Sequence, residues 1–523
     1  MKPYQNIIKN NEIMKKLLLI FILLFLKNSF CYAQDGSIDS TFGVNGIVIT
    51  DINGFHNYAS SSVLQSDGKI ILTGYTDSSN YQDFAMVRYN NNGSLDNTFG
   101  VNGIVITDIN GFNDVATSSA LQSDGKILLS GYSNNSNDND FAVVRYNTNG
   151  SLDSTFGING KVITPIGSSH DNAQSIVIQP DNKIVLAGSS NNGADYDFAL
   201  IRYKNDGDLD STFGVNGLVL TDIGSRDNYA NHILVDTANN FVVVGSANNG
   251  LYYQTLAFAD IALARYKNNG SLDSIFGTNG IVTTQGMQNV SRAKCAIMQQ
   301  SGKILVTGET FYPTVPPYPF LVRYNNDGSQ DAPFSLGGVS STASSPWSSS
   351  SLALQSDGKI LIAAYPGYFI MNRKDDFGNL DSTFGNMGIV ETNVGVGLNN
   401  STANKILIQN DGKIILTGDA FNGNNNDFVL IRYNNISSSI NENKTHNNII
   451  LYPNPNNGLF TLKIDAPFSQ ATLAVFDVTG KRILQQNITQ NESQLNLLAY
   501  PKGMYFYQVI VEEKVFSGKV MVN

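Results

Sequence analysis

The phrase "NNNGSLDNTFGVNGIVIT" at residues 90–107 is the main evidence for the fold, because the chain repeats it. It returns as "NTNGSLDSTFGINGKVIT" at 147–164 and as "KNDGDLDSTFGVNGLVLT" at 204–221. Its Phe recurs at spacings of 50 to 63 residues, at Phe42, Phe99, Phe156, Phe213, Phe276, Phe334 and Phe384. An Arg that closes an apolar run recurs in step, at Arg88, Arg145, Arg202, Arg265, Arg323, Arg373 and Arg432. The chain therefore contains seven units, and a period of this length is typical of a repeat architecture.

Each unit is predicted to form four short β-strands. "GIVIT" (46–50) is a short β-branched run, and "SSVLQSDGKIILTGY" (61–75) is two apolar runs joined at Asp67-Gly68, a dipeptide suited to tight hairpin turns. "DFAMVRYN" (83–90) supplies another run, and no segment of the unit has helical periodicity. Four antiparallel strands repeated seven times predict an all-β fold, a seven-bladed β-propeller.

The main alternative to this ring is a linear β-solenoid. Solenoid coils usually have about 20 to 30 residues, about half of the unit here or less. The phase of the chain also favours a closed ring, since the repeats open with "GIVIT" and end after "DFVLIRYNN" (427–435). The first strand can then pair beside the last. From the axis outward, the predicted strand order is "SSVLQ", "KIILTG", "DFAMVRY" and the "GIVIT" of the next unit.

These units resemble the delta-60 repeat β-propellers of bacterial secreted proteins, whose hallmark is a "DGKI..G...DF...RYN.DGSLD.TFG..G" phrase. Units four to six depart from it, with "DTANNF" (236–241), "QDAPFS" (330–335) and "IMNRKDD" (370–376). The resemblance implies a propeller over residues 34–436 and no settled biochemistry.

The N-terminal 33 residues are predicted to be a signal peptide, with Met14 as an alternative start. "MKKLLLIFILLFLKNSFCYAQ" (14–34) has a Lys pair, a short apolar core and a small residue at Ala33. About ten apolar residues cannot span a bilayer, so no transmembrane segment is expected in the mature chain. A lipoprotein site at Cys31 is the weaker alternative, because Phe30 is large. Cleavage after Ala33 leaves Cys295 alone, which excludes an intrachain disulfide.

Residues 437–448 are predicted to be a polar linker, and residues 449–523 a small C-terminal β-sandwich domain with Asn-Gly and Thr-Gly turns. This domain resembles the type A C-terminal sorting domain of the type IX secretion system of Bacteroidetes. The matching residues are Tyr452, Pro453, Asn454, Pro455, Gly458, Asp477, Gly480, Lys481, Gly503, Tyr505 and Lys519. The resemblance implies contact with the secretion machinery, removal of the domain by a sorting peptidase, and attachment to surface polysaccharide or release. The predicted location is secreted or outer cell surface.

Composition and motifs argue against several function classes. The charged fraction is 15%, the net charge is −10 and the pI is about 4.9, which disfavours binding to nucleic acid or an anionic membrane. No H-E-x-x-H, G-x-S-x-G or Cys/His metal spacing is present. His56, His170 and His232 are assigned to loops, and Cys295 to a buried strand position. We therefore predict no catalytic residue, no cofactor and no enzyme.

The recurrent polar residues have a structural and a functional interpretation. The Asp of each "SLD" phrase, such as Asp96, lies in an oxygen-rich loop, but the spacing lacks that of a calcium loop, and turns favour the same residues. Calcium is the alternative and turn chemistry is favoured, so no metal is predicted. The recurrent Arg is predicted to bind the Asp of its own loop, and the recurrent Phe to be a buried plug.

Ligand-binding residues are sought where the units differ. Strands alternate in direction, so the near-constant turns fall on one face of the ring and the variable loops on the other. The variable loops of units four to six carry the predicted ligand-binding aromatics, Tyr252, Tyr253, Phe311, Tyr312, Tyr318 and Tyr368. These favour a surface module that binds a glycan or a partner protein. The alternatives are a glycan-active enzyme with paired carboxylates, a purely structural surface protein, and loop aromatics that only pack onto their own blades.

Overall fold

The computed structural model describes residues 35–522 except 78–79, 254–255, 286–289, 312–316, 335–338, 342–347, 366, 397–400, 436–448, 453–456, 465–467, 469, 478–480 and 512–513. The described part is all β, with 35 strands numbered β1–β35 in chain order. It divides into two compact units after Ile436. The predicted signal peptide and linker lie outside the described residues.

Among the described residues, the first unit contains seven groups of four antiparallel strands, here called blades; a single parallel pairing of Ala259 with Val290 joins blades 4 and 5 into one eight-stranded sheet. Blade 1 is β2 (Asn57–Leu64), β3 (Ile70–Asp77), β4 (Gln82–Tyr89) and β5 (Ile104–Thr107). Blade 2 is β6 (Asp114–Leu121), β7 (Ile127–Asn134), β8 (Asn139–Tyr146) and β9 (Lys161–Thr164). Blade 3 is β10 (Asp171–Ile178), β11 (Ile184–Asn191), β12 (Tyr196–Tyr203) and β13 (Leu218–Thr221). Blade 4 is β14 (Asn228–Val235), β15 (Phe241–Tyr253), β16 (Leu256–Tyr266) and β17 (Ile281–Thr284).

The remaining three blades follow the same plan. Blade 5 is β18 (Val290–Met298), β19 (Ile304–Phe311), β20 (Tyr318–Tyr324) and β21 (Val339–Ser341). Blade 6 is β22 (Ser348–Leu354), β23 (Ile360–Tyr365), β24 (Phe369–Lys374) and β25 (Ile389–Thr392). Blade 7 is β26 (Ser401–Ile408), β27 (Ile414–Phe421), β28 (Asn426–Tyr433) and β1 (Ile47–Thr50). The predicted strand order within a unit is confirmed, since the outermost strand of each blade comes from the next repeat phrase.

The ring closes through its first strand. β1 pairs antiparallel with β28, with Ile47 opposite Ile431 and Thr50 opposite Phe428. An apolar core that includes Leu72 of blade 1 and Leu430 of blade 7 fills the junction between the first and last blades. The closure predicted from the phase of the chain is therefore present.

Each inner strand carries a β-bulge at the same place. In blade 1 the register shifts between Ala59 and Ser61, which leaves Ser60 as the extra residue. The other blades shift at the equivalent step. Opposite the bulge lies Gly74, where a Cβ atom would come within 2.0 Å of the Tyr58 carbonyl oxygen. This close approach explains the glycine of the "KIILTG" phrase. A bulge re-aims its side chain, and this position decides what faces the axis.

Packing between blades rests on repeated buried side chains. Between blades 1 and 2, Phe84 and Met86 pack against Ala116 and Leu129 in one apolar cluster. The buried Tyr89 hydroxyl donates to Thr50 Oγ1 at 2.8 Å, which ties blade 1 to the outer strand of blade 7. Blade 6 has Lys374 in place of this tyrosine, and its ammonium donates to the Gly378 carbonyl at 2.8 Å.

The second unit is a β-sandwich, as predicted. One sheet has the order β29 (Ile449–Tyr452), β30 (Leu459–Ile464) and β33 (Glu492–Asn496). The other has the order β32 (Arg482–Ile488), β31 (Ala471–Phe476), β34 (Gly503–Val511) and β35 (Lys514–Val522). Both sheets contribute to one core, with Leu462 of the first packed in the same cluster as Leu473 and Val509 of the second. Within the described residues there is no helix of the length and hydropathy needed to cross a membrane.

Candidate functional site

The near-constant phrase builds a fixed structural unit on one face of the ring. Arg88 Nε donates to Asp96 Oδ2 at 2.8 Å, and its guanidinium lies 4.3 Å from the centroid of the buried Phe99 ring. Burial alone would raise the pKa of Asp96, but hydrogen bonds from Thr98 and Lys69 and the charge of Arg88 hold it well below its usual range. The Arg to Asp bond recurs in all seven units, and in the last it joins Arg432 to Asp39. The predicted Arg–Asp bond and buried Phe are therefore confirmed.

The bulge residues form a belt around the channel that runs along the axis of the ring. In most junctions the bulge side chain donates to a backbone carbonyl of the next blade's inner strand. Among the described residues these bonds are Ser60 to Ala116 (2.7 Å), Thr117 to Ala173 (2.8 Å), Asn231 to Ala293 (2.7 Å), Ser350 to Ala403 (2.6 Å) and Asn404 to Ala59 (2.6 Å). The last of these crosses the closure between blades 7 and 1. The belt holds the inner strands together and makes the wall of the channel polar.

The mouth of the channel opens on the variable face, and a cavity of about 690 Å³ lies within it, lined by residues of all seven blades. In four blades the position after the glycine of "KIILTG", a glycine that Ala364 replaces in blade 6, lines this cavity, and its side chain differs between units. It is Tyr75 in blade 1, Ser246 in blade 4, Glu309 in blade 5 and Tyr365 in blade 6. The mouth therefore combines aromatic, hydroxyl and charged groups on rigid strands.

Three tyrosines give the mouth its aromatic surface. Tyr75 stacks on Tyr58 with ring centroids 5.0 Å apart. Tyr229 is 43% exposed and lies 5.2 Å from the ring of Tyr196. Tyr365 is the third, and its hydroxyl accepts a hydrogen bond from the Lys294 ammonium at 2.8 Å. Flat rings with polar edges suit ligands that have both apolar and hydroxylated faces.

A charged cluster lies on the blade 5 side of the mouth. The Glu309 carboxylate is 3.3 Å from Lys294 Nζ and 3.9 Å from Arg292 Nη1. It also accepts a hydrogen bond from the Ser348 hydroxyl at 2.6 Å. The carboxylate thus neutralises the charge of Lys294, whereas the side chain of Arg292 is 48% exposed at the rim.

The inner strands place one further residue per blade below the bulge. These seven residues are Ser61, Ser118, Ser175, His232, Cys295, Ser351 and Lys405. Burial, together with the charge of Lys405, lowers the pKa of His232 to about 3, so the imidazole is neutral. Burial raises the pKa of the Cys295 thiol. Cys295 is 4% exposed, as predicted.

The loop assignment of His232 is wrong. His232 lies inside β14, whereas His56 and His170 precede strands in loops. The cause is the bulge, because "NYANHILV" does not alternate regularly between polar and apolar residues, so its inward-facing positions cannot be read by counting every second residue.

The six loop aromatics predicted to bind ligand are described only in part. Tyr252 and Tyr253 end β15 at the tip of a hairpin longer than those of the other blades, and Phe311 ends β19; their side chains, and all of Tyr312, lie outside the description. Tyr318 begins β20 and is half-buried. Tyr368 packs against Ile370 of its own blade. Their role stays a prediction.

Sequence reasoning missed the strand positions that line the mouth. Differences between units were expected in the loops, whereas Tyr75, Glu309 and Tyr365 occur inside an otherwise constant phrase. The sequence signal for these positions was the single residue after "KIILTG", which varies between units.

Two groups of carboxylates bear on metal binding. The Asp96 carboxylate is occupied by Thr98, Lys69 and Arg88. Elsewhere, carboxylate oxygens of Asp83, Asp108 and Asp114 lie within 4.8 Å of one another. Burial raises the pKa of Asp114 to about 6, and its oxygens already accept bonds from the Ser133 hydroxyl and the Ile109 amide. The prediction that no metal is bound remains a prediction.

The predicted sorting residues lie in the second unit. Tyr452 ends β29, Gly458 precedes β30 with a φ of 100°, and Gly503 and Tyr505 belong to β34. Asp477 Oδ1 accepts the Lys481 amide at 3.0 Å, which shapes the turn between β31 and β32. Lys519 lies in β35. Pro453, Asn454, Pro455 and Gly480 lie outside the described residues.

Solved structures similar to this chain are propeller-like but distant. Virginiamycin B lyase from Staphylococcus aureus shares 12% identity and a TM-score of 0.44, covering 74% of this chain and 98% of that one. Drosophila Semaphorin 1a shares 10% identity and a TM-score of 0.41, covering 74% and 88%. The alpha-L-arabinofuranosidase Arb93A from Fusarium graminearum shares 9% identity and a TM-score of 0.38, covering 76% and 96%. Likenesses this distant say nothing about activity. No curated protein matches the sequence.

Family models match both units. The secretion system C-terminal sorting domain matches residues 450–523. The DUF5122 beta-propeller, a domain of unknown function, matches residues 65–99, 122–156, 179–213, 299–334 and 409–440. The sorting domain implies interaction with the secretion machinery and places the protein outside the cell. The chain is thus a β-propeller of DUF5122 repeats that carries a type IX secretion system C-terminal sorting domain and is secreted or displayed at the cell surface.

Proposed function

We propose that the propeller is a non-catalytic binding or adhesion module, and that its ligand, a glycan or a partner protein segment, binds in the mouth of the channel. The observation that carries this proposal is the convergence of the positions that differ between units on one cavity of about 690 Å³. The constant positions, in contrast, are taken up by the Arg–Asp–Phe units that stabilise the ring.

The chemistry of the wall supports recognition. Tyr75 and Tyr229 offer ring faces, and the belt of Ser, Thr and Asn side chains offers hydrogen-bonding edges nearby. Because these groups stand on paired strands, little conformational entropy is lost when a ligand binds. Hydrolysis of glycans by the common route needs two carboxyl groups. Among the described residues that line the cavity, Glu309 is the one carboxylate, and it is held by Lys294 and Ser348.

The proposed fate of the exported chain follows the sorting domain. A sorting peptidase removes residues 449–523, and the propeller is either attached to surface polysaccharide or released.

A comparison of two tyrosine variants tests the binding site. The full chain is screened on a glycan array and against extracts of neighbouring cells, first as wild type and then as Tyr75→Ser/Tyr229→Ser. Tyr81→Ser is the control, since Tyr81 has the same 43% exposure as Tyr229 but lies outside the cavity. We expect the double variant to lose binding and the control to keep it, with unchanged melting temperatures.

A third variant separates the mouth from the loops. Tyr252→Ser/Tyr312→Ser/Tyr318→Ser removes three of the predicted loop aromatics. Loss of binding in this variant alone would move the site from the mouth to the loops. Turnover of a captured glycan would favour the enzyme, and a wild-type chain that binds nothing in either screen would favour a purely structural surface protein.

A further inference from the structure

The ring of seven residues below the bulges is mostly polar and contains one lysine. Lys405 belongs to this ring and lines the cavity. No carboxylate of the described residues lies within 4.0 Å of its ammonium group. The other lysine of the cavity, Lys294 of blade 5, is paired with Glu309. Among the described residues, the mouth therefore neutralises one lysine and gives the deeper one no carboxylate partner.

The position of Lys405 makes its lack of a partner significant. It lies on blade 7 and lines the same cavity as His232 of blade 4 and Cys295 of blade 5, which stand on the opposite wall of the channel. A cation inside a partly enclosed cavity, away from its counter-ion, is costly unless an anion joins it.

The hydroxyl groups of the same ring are arranged as donors. Ser175 Oγ accepts the backbone amide of Ile233 at 3.3 Å, and Ser61 Oγ accepts the hydroxyl of Ser119 at 3.1 Å. Each serine hydroxyl also has one hydrogen to donate. For Ser175 and Ser61, no described protein acceptor takes that hydrogen, and both residues line the cavity. The hydroxyl hydrogens can therefore point into the channel.

His232 adds a further polar group without a negative charge. Its Nδ1 is buried and has no hydrogen-bond partner among the described residues. A neutral imidazole has one N–H donor and one acceptor nitrogen. The ring thus presents one cation, hydroxyl donors and an imidazole, and Ser118 completes the wall between blades 1 and 3.

We propose that this ring is a subsite for an oxyanion, and that the ligand of the channel mouth carries a carboxylate or a sulfate group that reaches Lys405. This inference rests on the proposed function, since it names the chemical class of the ligand for that cavity. The tyrosines of the mouth contact the body of the ligand, and Lys405 with Ser61 and Ser175 binds its acidic group.

Calorimetric titration of the full chain with small probes tests the subsite. The probes are sodium D-glucuronate, sodium sulfate and neutral D-glucose at constant ionic strength. We expect glucuronate to bind and glucose to bind at least about tenfold more weakly, because hydrogen bonds to a charged group are worth about twice those to a neutral one. Lys405→Met should weaken glucuronate binding at least about tenfold, and Lys405→Arg should restore most of it.

Controls keep this inference separate from the proposed function. Lys204→Met removes a half-exposed lysine outside the cavity and should change nothing. Equal affinity of wild type and Lys405→Met for glucuronate overturns the subsite, even where Tyr75 and Tyr229 prove necessary for capture on cells. Binding of sulfate but not glucuronate, with dependence on Lys405, contradicts a sugar acid and assigns the subsite to a sulfate group. If glucuronate binding depends on Lys405 but the Tyr75→Ser/Tyr229→Ser variant still captures its ligand on cells, the proposed function is overturned and the subsite is not.

Discussion

Three side chains, an Arg, an Asp and a Phe, recur together in every unit and explain why the phrase is repeated. A buried arginine needs a carboxylate and further acceptors. Each unit supplies the Asp of its own loop, and in six units the next blade adds a backbone carbonyl; for Arg88 these are Asp96 and the Thr148 carbonyl. In blade 6, the Asn435 side-chain oxygen accepts from Arg373 instead. The Phe ring below the guanidinium covers its other side. Removing one partner from such a group leaves a buried charge uncompensated.

Phe99→Ala should lower the free energy of unfolding by about 3 to 5 kcal/mol, because the ring is fully buried and its loss leaves a cavity. Urea denaturation measures the change. Val101→Ala in the same loop is the control, since Val101 is 77% exposed, and it should have almost no effect. An unchanged midpoint for Phe99→Ala would mean that the ring does not act as a plug.

Asp419 predicts a dependence of stability on pH. Burial raises its pKa to about 7, against hydrogen bonds from the Ala59 amide and from Asn404. An acid whose pKa is higher in the folded state binds more protons when folded, so its contribution to stability falls as pH rises from about 4 to about 7. Wild type should therefore lose stability relative to Asp419→Asn over that range. Melting curves of both proteins in matched buffers provide the test, and a constant difference would contradict it.

At the element scale, the blades are alike but their attachment is not. Six blades take all four strands from one continuous stretch of chain, whereas blade 7 borrows β1. The Asp39–Arg432 bond fastens this borrowed strand across a sequence separation of 393 residues.

Asp39→Ala removes the Arg–Asp bond at the closure of the ring, and Asp153→Ala removes the equivalent bond to Arg145 inside the ring. Each leaves a buried arginine unpaired and should cost about 3 to 5 kcal/mol. Only Asp39→Ala frees an end of the repeat region, so we expect it to unfold faster than Asp153→Ala. Stopped-flow unfolding in urea compares the two rates, and equal rates would show that the closure is no weaker than the other junctions.

The strands, their order and the Arg–Asp bond could be predicted because they depend on local patterns that are repeated seven times. Repetition turns a weak signal, such as the Asp67-Gly68 turn, into a strong one. The channel wall could not be predicted in this way. The bulge at Ser60 breaks the alternation of inward and outward side chains, so counting from the strand ends does not show that Ser61 or His232 lines the cavity. The convergence of Tyr75 with Tyr229 depends on ring closure, which no single unit encodes.

At the scale of the whole molecule, the two units have separate tasks. Deleting residues 445–523 should leave the propeller folded but retained in the periplasm, because the sorting domain is what the secretion machinery recognises. Cell fractionation with an antibody against the propeller measures the location. As a control, replacing residues 445–523 by the sorting domain of another protein should restore the propeller to the cell surface. Normal export of the truncated chain would contradict the prediction.

The borrowed strand also sets the order of events in folding. Six of the blades can be assembled from neighbouring sequence as the chain emerges, but the seventh must wait until residues near 430 are available to meet residues near 47. Contacts between such distant positions carry the largest loop-closure entropy and form late. Until then the two end blades expose apolar faces. A chain that stops before blade 7 would remain an open arc. The exposed apolar faces of its end blades would favour aggregation or binding to a chaperone.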